Sequence, residues 1–207
     1  MKDHDTLPTE RQPEVETSTW PVEDPGAVRV MNAWIRHLVT EYGVDGLQID
    51  TAKHVRKDVW PDFVASAGVF SMGELLSDEV GYVSPYISVM DSVLDYPTYF
   101  ALFSVSSSRP RQGNLSALAA AVSATQCEYK HGAVALGTFF EKQNQPKLQS
   151  KTQDLALIMH AIAWTFVNDV IPIVYYGQEQ GHTGGNDPDN REALWLSDYA
   201  SSSTSPR

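Results

Sequence analysis

The sequence predicts an α/β fold built on parallel strands, and three observations carry that reading. Short apolar runs alternate with stretches of helical length along most of the chain. Two of those runs end in a carboxyl residue: Val44-Asp45-Gly46-Leu47-Gln48-Ile49-Asp50 and Gly68-Val69-Phe70-Ser71-Met72-Gly73-Glu74. A polar-apolar stretch from Arg56 to Ala67 separates them. A late run, Val170-Ile171-Pro172-Ile173-Val174-Tyr175, is apolar on both faces, as suits a parallel strand covered on both sides.

Residues 1–25 are polar and carry Pro8, Pro13, Pro21 and Pro25, which predicts an irregular lead-in. Asp24 is placed to cap a helix with Pro25 at its first position. Val28, Met31, Ala33, Trp34, Ile35, Leu38 and Val39 then recur near the helical period, and Gly43 ends the helix. Strands are expected at 45–49, 69–73, 88–94, 133–139 and 170–175. Helices are expected at 57–67, in a broken stretch over 95–124, and at 152–167. This spacing implies right-handed crossovers between parallel neighbours. Pro172 is an obstacle to a central strand, because it cannot donate to a ladder. The tail over 200–207 is Ser-rich and predicts disorder.

Composition narrows the function. The formal charge of -11 disfavours nucleic acid and anionic membrane surfaces, which need a basic face. No apolar run approaches the roughly 20 residues of a membrane span. The opening Met1-Lys2-Asp3-His4-Asp5-Thr6 has no apolar core, so no secretory leader is expected in these residues, and the compartment stays open. Cys127 is single and is expected to be a buried thiol. No His/Cys cluster has metal-ligand spacing. Asn114-Leu115-Ser116 fits the N-glycosylation triplet, and no role is assigned to it.

Two carboxyl groups aimed from neighbouring strand ends into one pocket are the minimum equipment for cleaving a glycosidic bond. Asp50 and Glu74 meet that requirement if their strands are adjacent. The alternative is that each is a solvated loop acid.

The wider sequence resembles the α-amylase family of glycoside hydrolases, particularly its fungal members. Gly46-Leu47-Gln48-Ile49-Asp50-Thr51-Ala52-Lys53-His54-Val55 is similar to the family segment carrying the nucleophile on strand four. Gly73-Glu74-Leu75-Leu76 resembles the segment with the acid/base on strand five. Leu136 to Pro146 stands where the strand-seven segment belongs, and Ile171 to Glu179 resembles strand eight. Gly184-Gly185-Asn186-Asp187-Pro188-Asp189-Asn190-Arg191-Glu192 resembles the following loop, which in the family grips sugar hydroxyls. These matches run in order from Tyr42 to Tyr199.

The resemblance implies a partial (β/α)8 TIM barrel over 26–199, strands four to eight with their helices. On that resemblance, counterparts of the family's first three strands, inserted calcium-binding domain and C-terminal β-sandwich are not expected among these residues. It implies hydrolysis of α-1,4-glucosidic bonds in starch-like glucans by a retaining mechanism, with α-glucan or maltooligosaccharide as partner. Asp50 is then the nucleophile, Glu74 the acid/base, and Asn144 holds the place of the third carboxylate. Gln48, Lys53, His54, Gln143, Asp187 and Arg191 are the implied substrate-binding residues. Asp187 with Arg191 also reads as a plain charge pair at a helix start. Calcium is implied by the family, and the His54 backbone carbonyl is the ligand position that matches.

Departures from the family pattern on two strands bear on activity. The family pattern Gly-Leu-Arg-Ile-Asp has Gln48 in place of arginine, and the pattern Glu-Asn-His-Asp reads Glu141-Lys142-Gln143-Asn144. An amide at 48 supplies no charge beside the nucleophile, and an amide at 144 does not offset positive charge developing on the sugar ring. The expectation is therefore a weak or inactive hydrolase. The alternative is a non-catalytic remnant or a carbohydrate-binding module.

Overall fold

The structure, a computed structural model, describes residues 24–107, 113–129, 135–168 and 170–199. Most of the lead-in expected over 1–25, the tail over 200–207, and the start of the strand expected at 133–139 lie outside those residues. The chain divides into two units, Met1–Leu76 with Pro85–Val93, and Ser77–Ser84 with Leu94–Arg207.

The first unit opens with α1, Pro25–Tyr42. Its start is the expected cap: Asp24 Oδ1 accepts from the N–H groups of Gly26 (2.7 Å) and Ala27 (3.2 Å). Its end is Gly43, whose φ of 62° is cheap only for glycine. Strand β1 follows at Gly46–Ile49. A 3₁₀ turn at Lys57–Val59 leads into α2, Trp60–Ala67, so the expected helix begins three residues late. Strand β2 is Phe70–Gly73. The first two strands pair in parallel, with Gly46 opposite Phe70 and Ile49 opposite Gly73. Trp60, Phe63, Met72, Leu75, Ile87 and Met90 supply buried apolar surface in this unit, and Trp60 meets Phe63 edge to face.

The strand expected at 88–94 is mostly a turn. A 3₁₀ helix occupies Ser84–Ser88, and only β3, Ser92–Val93, joins β2 in parallel. Ser88 Oγ donates to Pro85 O at 2.7 Å, and such local bonding competes with a ladder.

In the second unit, a short helix α3 spans Val80–Val83. The broken stretch resolves into α4, Tyr96–Ser107, and α5, Leu115–Glu128. The Asn114 of the glycosylation triplet serves as the cap of α5, its Oδ1 accepting from Ala117 N at 3.1 Å. Cys127 is exposed, contrary to expectation, because it lies in the last turn of α5, where Gln126 and Glu128 beside it are exposed too. Strand β4 is Gly137–Phe139, α6 is Leu155–Val167, and β5 is Ile171–Ile173, parallel to β4 with Thr138 opposite Pro172. Leu102, Leu118, Phe140, Leu148, Ile158 and Ala161 form the core. Tyr99 stacks on Phe139 at 4.9 Å.

The expected full cover of the last strand is not met. Ile171 is 38% exposed and Val174 53% exposed. Among the described residues β5 pairs only with β4, which is also why Pro172 is tolerated. No helix among the described residues is long and apolar enough to cross a membrane.

Candidate active site

In the first unit the two acids stand at one end of one sheet. Each follows directly on the last residue of a paired strand, Asp50 after Ile49 and Glu74 after Gly73. The ladder continues past the strands: Glu74 N donates to Ile49 O at 2.8 Å, and Ala52 N donates to Glu74 O at 3.1 Å. Asp50 is exposed, whereas Glu74 is 5% exposed. Gln48 lies on the same strand as Asp50, and its Nε2 donates to Glu74 Oε2 at 3.2 Å. The Gln48 amide is therefore engaged with the second acid.

The turn after Asp50 is held from several sides. Thr51 has a φ of 53°, a left-handed conformation uncommon for a β-branched residue. Trp60 Nε1 donates to Ala52 O at 3.2 Å, so α2 braces the turn. Lys53 Nζ donates to Leu76 O at 3.2 Å. This ties the lysine to the segment after Glu74. His54 is half-buried at the end of the 3₁₀ turn Ala52–His54. Gly73 must be small: a Cβ there would collide with the Met90 sulfur.

In the second unit a different group assembles beyond β4 and β5. Arg191 Nη2 pairs with Asp187 Oδ2 at 3.2 Å and donates to Asn144 Oδ1 at 3.5 Å. Arg191 Nε also donates to Gln143 O at 3.2 Å. Thus Gln143, Asn144, Asp187 and Arg191 stand together, and the expected Asp187–Arg191 pair forms. A cis peptide joins Asp187 to Pro188.

Beneath this group lies a buried ion pair that sequence reasoning missed. Lys147 has no exposed surface and Glu141 has 2%. Lys147 Nζ lies 3.5 Å from Glu141 Oε2, donates to Tyr176 O at 2.7 Å, and sits 4.1 Å from the centre of the Tyr175 ring. Glu141 Oε1 accepts from Leu148 N at 3.0 Å. Burial pushes the Glu141 carboxyl up, with the Lys147 charge opposing, and pushes the Lys147 ammonium down, with Glu141 opposing. Glu141 and Lys147 stand at the two ends of the amide-rich stretch Lys142-Gln143-Asn144-Gln145-Pro146, but nothing in the sequence paired them.

Calcium takes six to eight oxygen ligands. Among the described residues no group of three or more His, Cys, Asp or Glu could hold a metal. The residues described do not make up a calcium site.

Residues 63–203 match the family model described as the α-amylase catalytic domain. The chain is 43% identical over 183 residues to α-amylase 2 of Schwanniomyces occidentalis, covering 87% of this chain and 35% of that protein. An α-amylase structure from Malbranchea cinnamomea superposes with a TM-score of 0.84 at 40% identity, covering 88% of this chain and 38% of the other. The Geobacillus thermoleovorans α-amylase complexed with acarbose gives a TM-score of 0.81 at 25% identity, covering 93% of this chain and 48% of the other. This chain therefore spans about a third of the length of the curated relatives it matches. The family model, the fungal relatives and the shared fold agree, and the chain belongs to the α-amylase family of glycoside hydrolases.

Proposed function

We propose that residues 26–199 carry strands four to eight of an α-amylase-type (β/α)8 barrel, with Asp50 and Glu74 in the nucleophile and acid/base positions of a retaining hydrolase. The substrate class is an α-1,4-glucan or maltooligosaccharide. The observation that carries this reading is the in-register parallel pairing of β1 with β2, which puts the residues after Ile49 and Gly73 at the same end of one sheet. A retaining mechanism needs two carboxyls about 5–5.5 Å apart, one to attack the anomeric carbon and one to protonate the leaving oxygen. Lys53 and His54 would line the sugar beside Asp50, while Gln143, Asn144, Asp187 and Arg191 form the second unit's sugar-binding group.

Activity is weak or absent on this reading. Gln48 brings no charge to Asp50, and its amide is already engaged with Glu74. Asn144 is neutral where the family has a carboxylate, and it accepts from Arg191. Losing one preorganised electrostatic partner costs on the order of 3 kcal/mol, or 10² to 10³ in rate. The same two amides favour a second reading, in which the chain binds glucan without cutting it.

Release of reducing ends from soluble starch tests the first reading. The expected turnover is below about 1 per second, and a rate above that defeats the idea of impairment. Retention of maltoheptaose without cleavage supports the binding role. Gln48→Arg with Asn144→Asp, made together in a full-length relative carrying this segment, is expected to restore hydrolysis.

A further inference from the structure

We infer that Asn190 is a positioning residue that fixes the loop bearing Gln143 and Asn144; that this loop meets a sugar rests on the function proposed above. Asn190 has no exposed surface, although Asp189 and Arg191 on either side of it are exposed. Its Nδ2 donates twice, to Gln143 O at 2.8 Å and to Gln145 O at 2.9 Å. These carbonyls flank Asn144, so one side-chain amide holds the backbone on both sides of that residue. Its Oδ1 is buried and accepts no hydrogen bond. The donor end of the side chain is therefore what the site uses.

The surroundings make the grip rigid. Asn190 sits in a closed turn, with Asp189 N donating to Asn186 O at 2.8 Å and Arg191 N to Pro188 O at 3.0 Å. Gly184 lets this turn fold back, since a Cβ there would collide with the Asp189 carbonyl. Lys147 N donates to Gly184 O at 3.0 Å, which ties the far end of the gripped loop to the same segment. Arg191 then reaches Gln143 O and Asn144 Oδ1 from next door. A carboxylate of the same shape at 190 would face two carbonyl oxygens with nothing to donate.

Hydrogen exchange on the intact chain separates donor chemistry from packing, because Asp is isosteric with Asn. Asn190→Asp is expected to speed exchange of peptides covering 143–147 at least tenfold at pH 7, as much as Asn190→Ala or more, with peptides over 70–74 unchanged. Near pH 4, where an ordinary Asp (about 3.9) regains a proton to donate, the Asp variant should recover part of its protection and the Ala variant none. Protection of 143–147 in Asn190→Asp equal to the unsubstituted chain overturns the inference. If a variant loses protection throughout, the unsubstituted chain decides under mild urea. Peptides over 143–147 and 186–191 opening at the same urea concentration supports the clamp, and opening at separate concentrations overturns it. A maltoheptaose titration keeps the two proposals apart. A loosened loop with unchanged sugar affinity upholds the clamp and counts against sugar contact by Gln143 and Asn144.

Discussion

The end of the β1–β2 sheet and the end of the β4–β5 sheet are held by different means. Beyond β1 and β2 the backbone ladder places the two acids, and the Trp60 and Lys53 side chains brace the turn after Asp50. The ladder runs on through Glu74 N to Ile49 O and Ala52 N to Glu74 O, and Asp50 stands exposed at its tip. Beyond β4 the loop has no partner strand among the described residues, so side chains take over. Asn190 grips two of its carbonyls, and the Lys147–Glu141 pair links its base to Tyr176 and Leu148. A main-chain ladder places a strand-end residue whatever its side chain. A loop fixed by buried polar groups depends on the identity of each one, because a buried donor or charge that loses its partner keeps its full desolvation cost.

The sharpest break of that contrast is Lys147→Met. It strands the Glu141 carboxylate in the core, and a loss of about 3–5 kcal/mol is expected in urea unfolding. Adding Glu141→Gln should recover most of it; additive losses would instead mean that the pair is not coupled.

Asp95 offers a smaller effect in the same unit. Its Oδ1 accepts from Thr98 N at 3.2 Å at the start of α4, and Asp95→Ala should cost about 1 kcal/mol. Burial raises its carboxyl above the usual 3.8, with the Thr98 hydrogen bonds opposing. The native form thus holds its proton to higher pH than the unfolded one. Its contribution is fully present below the unfolded value and is lost as pH rises through the native one. Melting curves of Asp95→Asn should keep the cap and flatten that decline.

Smallest is Thr51→Asn in the ladder-held unit. Asn tolerates the left-handed conformation better than a β-branched residue, so a gain of roughly 0.5 kcal/mol in urea unfolding is expected. A loss would mean that the Thr51 side chain contributes more than its backbone costs.

The sequence made the ladder-held end legible and left the other obscure. Asp24, Gly43, the two acid-ending runs and the order of strands were readable because caps, left-handed glycines and apolar runs are local signals. The 88–94 run misled because its apolar residues serve a 3₁₀ turn and buried packing more than a strand. The motif resemblance pointed to Gln143, Asn144, Asp187 and Arg191. It assigned no partner to Asn190, Lys147 or Glu141, whose partners lie up to 47 residues away.

From the chain of residues alone came the element order, the α/β class, the family resemblance and the two candidate acids, because each rests on near neighbours or on motif order. The tertiary structure decided that Gln48 reaches Glu74, that Asn190 clamps the Asn144 loop, and that Lys147 is buried against Glu141 and Tyr176. Side-chain hydrogen bonds between distant segments have no periodicity or spacing to betray them. They exist only once the backbone has brought their donors and acceptors within about 3 Å.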